Sequence, residues 1–131
     1  MLRFIARKRI TDRWGQGSFG ASRDGGKRTH VGVDYAAWPG SVLLSPVMGT
    51  VTKLGYPYAD HMELRYVQVT DDLGRDHRFF YVDPAVHTGM AVGVGDRLGK
   101  VQALDYLYEG ITPHVHYECR LDGEYINPEE L

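Results

Sequence analysis

Six histidines stand at positions 30, 61, 77, 87, 114 and 116, and two spacings among them suit metal chemistry. In His114-Val115-His116 the imidazoles are two residues apart. On a strand they share one face, roughly 7 Å apart, while Val115 packs on the other. One ring can then bind a metal ion while its neighbour faces a substrate. In His30-Val31-Gly32-Val33-Asp34 an imidazole and a carboxylate are separated by two valines and a glycine. A straight strand would hold them roughly 13 Å apart, too far for two ligands that must each lie within about 2 Å of one ion. The chain must bend between them. Gly32 is the residue that permits the bend, with Val31 and Val33 anchoring the segment from the core side. Two histidines and one carboxylate leave a tetrahedral zinc one open position, the pattern of a catalytic site, because structural sites are closed by four protein ligands.

These spacings work only if strands present them, and the rest of the sequence reads as strands. Short apolar runs occur at Val42 to Leu44, Thr50 to Leu54, Glu63 to Thr70, Arg78 to Val82, His114 to Leu121 and Glu124 to Ile126, each bounded by Gly, Pro or Asp. Turn signals recur between them, as in Trp38-Pro39-Gly40, Asp71-Asp72-Leu73-Gly74 and Leu121-Asp122-Gly123-Glu124. The expected fold is mostly β, an antiparallel sandwich or open barrel in one domain over residues 1–131. Within it, 1–29 is a basic lead-in and Gly-rich loop, and 30–131 is the β core with the metal site. Gly15 to Thr29, with glycines at 15, 17, 20, 25 and 26, reads as a long loop of the kind that is usually functional.

Three blocks resemble the lysostaphin/LytM-type zinc endopeptidases of bacterial cell-wall peptidoglycan. They are Thr29 to Val51 (THVGVDYAAWPGSVLLSPVMGTV), Gly89 to Gln102 (GMAVGVGDRLGKVQ) and Pro113 to Pro128 (PHVHYECRLDGEYINP). The upstream Ile10 to Gly15 (ITDRWG) is similar to the family's lead-in. The resemblance implies a lysostaphin-type fold and one Zn²⁺ per chain, held by His30, Asp34 and His116. It places His114 beside the metal-bound water as general base or transition-state stabiliser. Zinc lowers the pKa of bound water toward ~7 and polarises the scissile carbonyl, and a histidine with an ordinary pKa near 6.5 helps to move the proton.

The sequence also departs from that family. Its members usually carry another catalytic histidine just after a Tyr-x pair in a central strand, whereas Tyr81-Val82 is followed here by Asp83-Pro84. Asp83 is the candidate to take part of that role by accepting a hydrogen bond or orienting His114, with His87 the nearest alternative imidazole. An ionised aspartate only accepts, so it cannot donate to a developing oxyanion. The bland reading of Asp83-Pro84 is a turn at a strand end. His61 and His77 flank a strand and its hairpin turn, where exposed surface is expected. Tyr35, Trp38, Tyr106 and Tyr108 are candidate groove walls, and Cys119, on the strand face opposite His116, is expected to pack in the core.

Composition bounds what remains. A chain of 131 residues with 43% hydrophobic and 24% charged residues is ordinary for a soluble globular domain, and disorder, collagen and coiled coil are poor readings of it. One cysteine makes no internal disulfide. Residues 1–30 hold eight Lys or Arg against two Asp, a net +6, and the remaining 101 residues carry a net −8. The basic quarter pairs with the acidic remainder or draws the chain to an anionic polymer such as cell wall. No nucleic-acid motif accompanies it, so nucleic acid is not an expected partner. No apolar run reaches the ~18 residues of a membrane helix, and Met1 to Ile10 lacks the apolar stretch of a secretory signal. The expected substrate is peptidoglycan, cut in its cross-links or stems on the outer side of a membrane. The expected route there is lysis or a virion, as for a bacteriophage lysin. A second reading from a different class is a catalytically weak or inactive zinc-binding module that binds wall or regulates another hydrolase.

Overall fold

A computed structural model describes residues 18–23 and 28–131. The other residues of the basic lead-in, and with them the whole block Ile10 to Gly15 and part of the Gly-rich stretch, lie outside the described residues. The strands are β1 (Ser22–Arg23), β2 (Arg28–Thr29), β3 (Val33–Ala36), β4 (Val42–Leu44), β5 (Gly49–Gly55), β6 (Tyr66–Thr70), β7 (Asp76–Phe80), β8 (Val82–Pro84), β9 (Ala91–Val92), β10 (Arg97–Val101), β11 (His114–Leu121) and β12 (Glu124–Ile126). A short 3₁₀ turn follows at Pro128–Glu130, and the described residues form no α-helix.

All pairings are antiparallel. The large sheet runs β12-β11-β7-β6-β5-β9, with β3 also paired to β11, and a second sheet runs β4-β10-β8. β11 is long enough to hold three neighbours: β7 along one edge from His116 to Arg120, and β3 and β12 in succession along the other. The expected mostly β, antiparallel architecture is what the chain adopts.

The core lies between the two sheets. Val51, Val67, Val69, Phe79, Val115 and Tyr117 of the large sheet meet Leu43, Val82, Leu98 and Val101 of the small one. Each such side chain contributes about 1.5–3 kcal/mol of burial free energy. Period-2 alternation on β11 sends Val115, Tyr117 and the buried Cys119 into this core and turns His114, His116 and Glu118 to the opposite face. That face is buried too, so the burial pattern of β11 does not alternate although its chemistry does.

Several expectations change. The apolar run ending at Val82 is two strands, broken at Tyr81, whose φ of 72° is unusual for a non-glycine residue and lets the chain leave the large sheet for the small one. Asp83-Pro84 is therefore not a turn but part of β8, paired with β10. Gly15 to Thr29 is not wholly irregular, because β1 and β2 form a short ladder within it. His77 is not exposed: it lies on the core side of β7 with no accessible surface, because it alternates in phase with Phe79.

Candidate metal centre

β3 and β11 pair with Asp34 directly opposite His116, so a single register places one carboxylate and one imidazole together. His30 arrives from the segment before β3, which bends at Gly32. Its backbone is clamped on both sides, N–H to the Ala21 carbonyl at 2.8 Å and carbonyl to the Gly20 N–H at 2.7 Å. The role of Gly32 differs from the expected one. It is not among the positive-φ residues; instead a methyl group there would lie 2.5 Å from the Tyr117 carbonyl oxygen and 2.7 Å from Cε1 of His116. Glycine is needed for close approach of the chain to the His116 ring.

Three atoms converge. His30 Nε2 lies 3.1 Å from Asp34 Oδ1 and 2.9 Å from His116 Nδ1, and His116 Nδ1 lies 3.0 Å from the same carboxylate oxygen. A tetrahedral ion with bonds of about 2.0 Å has ligand atoms about 3.3 Å apart, so this triangle is within a few tenths of an ångström of a zinc-sized face. The other nitrogen of each ring is committed elsewhere. His30 Nδ1–H donates to the Ser18 carbonyl at 3.0 Å, and His116 Nε2–H donates to Glu118 Oε1 at 2.9 Å. With those protons fixed, both neutral rings present lone pairs to Asp34, and three acceptors about 3 Å apart repel unless a cation lies among them. Outer hydrogen bonds that fix the tautomer of metal-binding histidines take this form. The donor set, two imidazoles and a carboxylate, suits zinc.

The electrostatics carry the same demand for positive charge: where protons supply it in place of an ion, His116 and His30 become donors to Asp34. Burial alone would raise the Asp34 carboxyl, but hydrogen bonds from His116 and His30 outweigh it and hold the group far below the usual carboxylate range. Burial opposes protonation of His116, yet its bonds to Asp34 and Glu118 prevail and push it up to about 9.

His114 is buried beside this cluster. Its Nδ1–H donates to the Thr112 carbonyl at 2.7 Å, which in the neutral ring leaves Nε2 as an acceptor 3.7 Å from Asp34 Oδ2. Tyr81 stands perpendicular to its ring with centroids 5.5 Å apart, and the Tyr81 hydroxyl bonds to that of Tyr58 at 2.7 Å. Asp83 does not join the group. It is exposed on β8 opposite Lys100, and among the described residues no hydrogen bond or ion pair links it to His114. The left-handed backbone at Tyr81 explains this, since it carries the following strand into the other sheet. His87 is likewise exposed, bonded to the Thr88 carbonyl, and His61 sits between Asp60 and Glu63.

The aromatic candidates divide. Trp38 and Tyr35 lie on the far side, lining an apolar recess with Val42, Leu44 and Val94. Tyr106 donates to Glu63, and Tyr108 joins Tyr58. Glu118, Tyr81 and Phe80, whose ring stands edge-on to His116 at 4.9 Å, touch the site without having been singled out in the sequence. For Glu118 the signal was available: it continues the i, i+2 series of His114 and His116.

Sequence and fold are both similar to those of known proteins. Residues 28–128 match the model of Peptidase family M23. The mouse protein Leukocyte cell-derived chemotaxin-2 is 31% identical over 110 residues, 84% of this chain and 71% of that protein. An Uncharacterized metalloprotease of Haemophilus influenzae is 31% identical over 104 residues, which is 77% of this chain but 20% of the longer protein. Among solved structures, the catalytic domain of lysostaphin from Staphylococcus simulans superposes with a TM-score of 0.68 at 17% identity, covering 86% of each chain.

Proposed function

Because the chain belongs to peptidase family M23, a family of metallopeptidases, we propose that it is a zinc-dependent endopeptidase acting on a peptide bond in bacterial peptidoglycan cross-links or stems. The observation that carries this reading is the triangle of His30 Nε2, Asp34 Oδ1 and His116 Nδ1, whose edges are 2.9–3.1 Å. A divalent ion held there supplies Lewis-acid polarisation of the scissile carbonyl and an acidified water.

The chain's own residues do the rest. Ser18 and Glu118 fix the tautomers of the two ligand rings, and Phe80 holds the plane of His116. His114, locked by Thr112 and Tyr81, offers Nε2 as the proton acceptor on the ligand side of the site. Once protonated, the same atom donates to the departing amine. The buried ligands lie in a low-dielectric setting that strengthens each of these interactions.

One observation favours a second reading, a metal-binding module that attaches to wall without turning it over. Asp83 stands outside the site, and Tyr81 occupies the flank of His114 instead. Zinc-loaded protein incubated with isolated cell walls of known cross-link chemistry, followed by mass spectrometry of released fragments, separates the two. New amino termini at a defined peptide bond support the peptidase. Stable wall binding with no released fragment at full zinc occupancy supports the module.

A further inference from the structure

The face of the large sheet that carries the metal ligands continues beyond them as ordered cross-strand rows. One row is Asp34, His116, Phe80, Tyr66 and Gly55, each directly opposite the next. The adjacent row is Glu118, Arg78, Gln68 and Lys53. Successive same-face residues are roughly 7 Å apart, so this second row lies about two extended peptide residues from the ligand row.

Its side chains are arranged around one guanidinium. Arg78 Nε donates to Gln68 Oε1 at 2.8 Å, and the Gln68 amide donates in turn to Thr52 Oγ1 at 3.0 Å, which fixes the orientation of the amide. Arg78 Nη1 lies 3.7 Å from Glu118 Oε2. The guanidinium sits over the Tyr66 ring, 5.4 Å from its centroid, and Lys53 Nζ approaches the same ring at 5.9 Å. Tyr66 can serve as this platform because its ring lies across Gly55, where a side chain would collide with it, and stacks on Phe80 at 5.0 Å. Glu118 is the only carboxylate of the row, and its other oxygen is taken by His116. The second terminal nitrogen of Arg78 has no partner among the described residues, although the side chain is only 17% exposed. Two cations on an aromatic floor, one rigidly held with donors to spare, complement a planar anion.

We propose that Arg78, with Lys53, forms a carboxylate-binding subsite, so that the peptide taken by this site carries a carboxylate about two residues from the bond placed at the metal. The proposal rests on the peptidase reading for what lies at the metal, but its test reads binding and not turnover. The probes are acetyl-trialanine with a free C-terminal carboxylate and the same peptide as its carboxamide, titrated into zinc-loaded wild type, Arg78→Gln and Lys53→Gln and followed by NMR shifts. The acid binds wild type about tenfold more tightly than the amide. That ratio falls to about one in Arg78→Gln and to an intermediate value in Lys53→Gln, while each variant retains one zinc. Attraction of the carboxylate to the ion would persist in both variants, so an unchanged ratio in them overturns the subsite, as does equal or undetectable binding of the two peptides to wild type. If Arg78→Gln does not fold, the exposed Lys53→Gln decides, with an undiminished ratio again overturning the proposal. A wild type that cleaves wall but shows no acid preference sinks the subsite alone. An acid preference lost with Arg78, in a protein that never cleaves wall, sinks the peptidase reading alone.

Discussion

Gly32→Ala places one methyl group where the account leaves no room. The added carbon would lie 2.5 Å from the Tyr117 carbonyl oxygen and 2.7 Å from Cε1 of His116, whereas real contacts of this kind stay beyond 3.0 Å. Relief requires movement of several tenths of an ångström, and Tyr117 is held in β11 by pairing on both edges. The imidazole therefore yields. Metal sites tolerate about 0.2 Å in ligand distance, so the displaced Nδ1 weakens zinc binding by an amount comparable to losing an outer-shell partner, about 10–100-fold. Overpacking itself costs about 1–3 kcal/mol, which for a domain of this size is a fall in Tm of about 4–11 °C. The assay is competition for zinc against a chromophoric chelator, with thermal melts run with and without EDTA. The loss of affinity should exceed anything the melting shift of the metal-free protein explains. A Gly32→Ala variant that binds zinc as tightly as wild type would refute the argument that close backbone approach sets the His116 ring.

Four further outcomes follow from the same geometry. His116→Ala abolishes stoichiometric zinc binding by metal analysis, and a retained full equivalent contradicts its place as a ligand. His114→Ala keeps one zinc but lowers the rate of wall hydrolysis by about 10²–10⁴-fold, the usual worth of a proton-transfer group; an unchanged rate removes it from the mechanism. Asp83→Asn changes rate and zinc affinity by less than about twofold, as expected for an exposed side chain outside the site, and a large loss in steady-state kinetics would restore it to the catalytic group. The fourth concerns the buried Asp71–His77–Tyr117 network, in which His77 Nε2–H donates to Asp71 at 2.8 Å and the Tyr117 hydroxyl donates to His77 Nδ1 at 2.6 Å. Burial pushes His77 below its ordinary value, and although burial opposes it, hydrogen bonding from His77 and Arg75 holds Asp71 well below the carboxylate range. Both groups bind protons more readily unfolded, so stability falls as pH drops below about 6.5 and again below about 3.8. Asp71→Asn costs about 3 kcal/mol at neutral pH and flattens the acid limb of the stability curve in urea melts; a parallel curve would show that the network does not govern acid stability.

Much of this was legible from residue order because period-2 alternation is a strong signal. His114 to Leu121 and Glu124 to Ile126 were bounded correctly, and the opposite facing of His116 and Cys119 follows from counting along β11. The approach of His30 to Asp34 required a bend, and the bend is present. Other features depend on contacts between segments distant in sequence. The reason for Gly32 lies in Tyr117 and His116 across the sheet, so local conformational freedom was the wrong mechanism for the right residue. The departure of β8 into the second sheet turns on one left-handed tyrosine, a conformation no propensity assigns to Tyr81, and it carries Asp83 away from the site. His77 looked like a hairpin flank because its buried partners, Asp71 and Tyr117, lie 6 and 40 residues away.

The claim on which everything else depends is that His30, Asp34 and His116 share one cation. A crystal of zinc-loaded protein, with anomalous difference maps recorded on both sides of the zinc edge, tests it directly. The account predicts one strong peak about 2.0–2.2 Å from His30 Nε2, Asp34 Oδ1 and His116 Nδ1, with the fourth position open to solvent. A peak elsewhere, a His116 ring turned to bind through Nε2, or a fourth protein atom closing the site would contradict it.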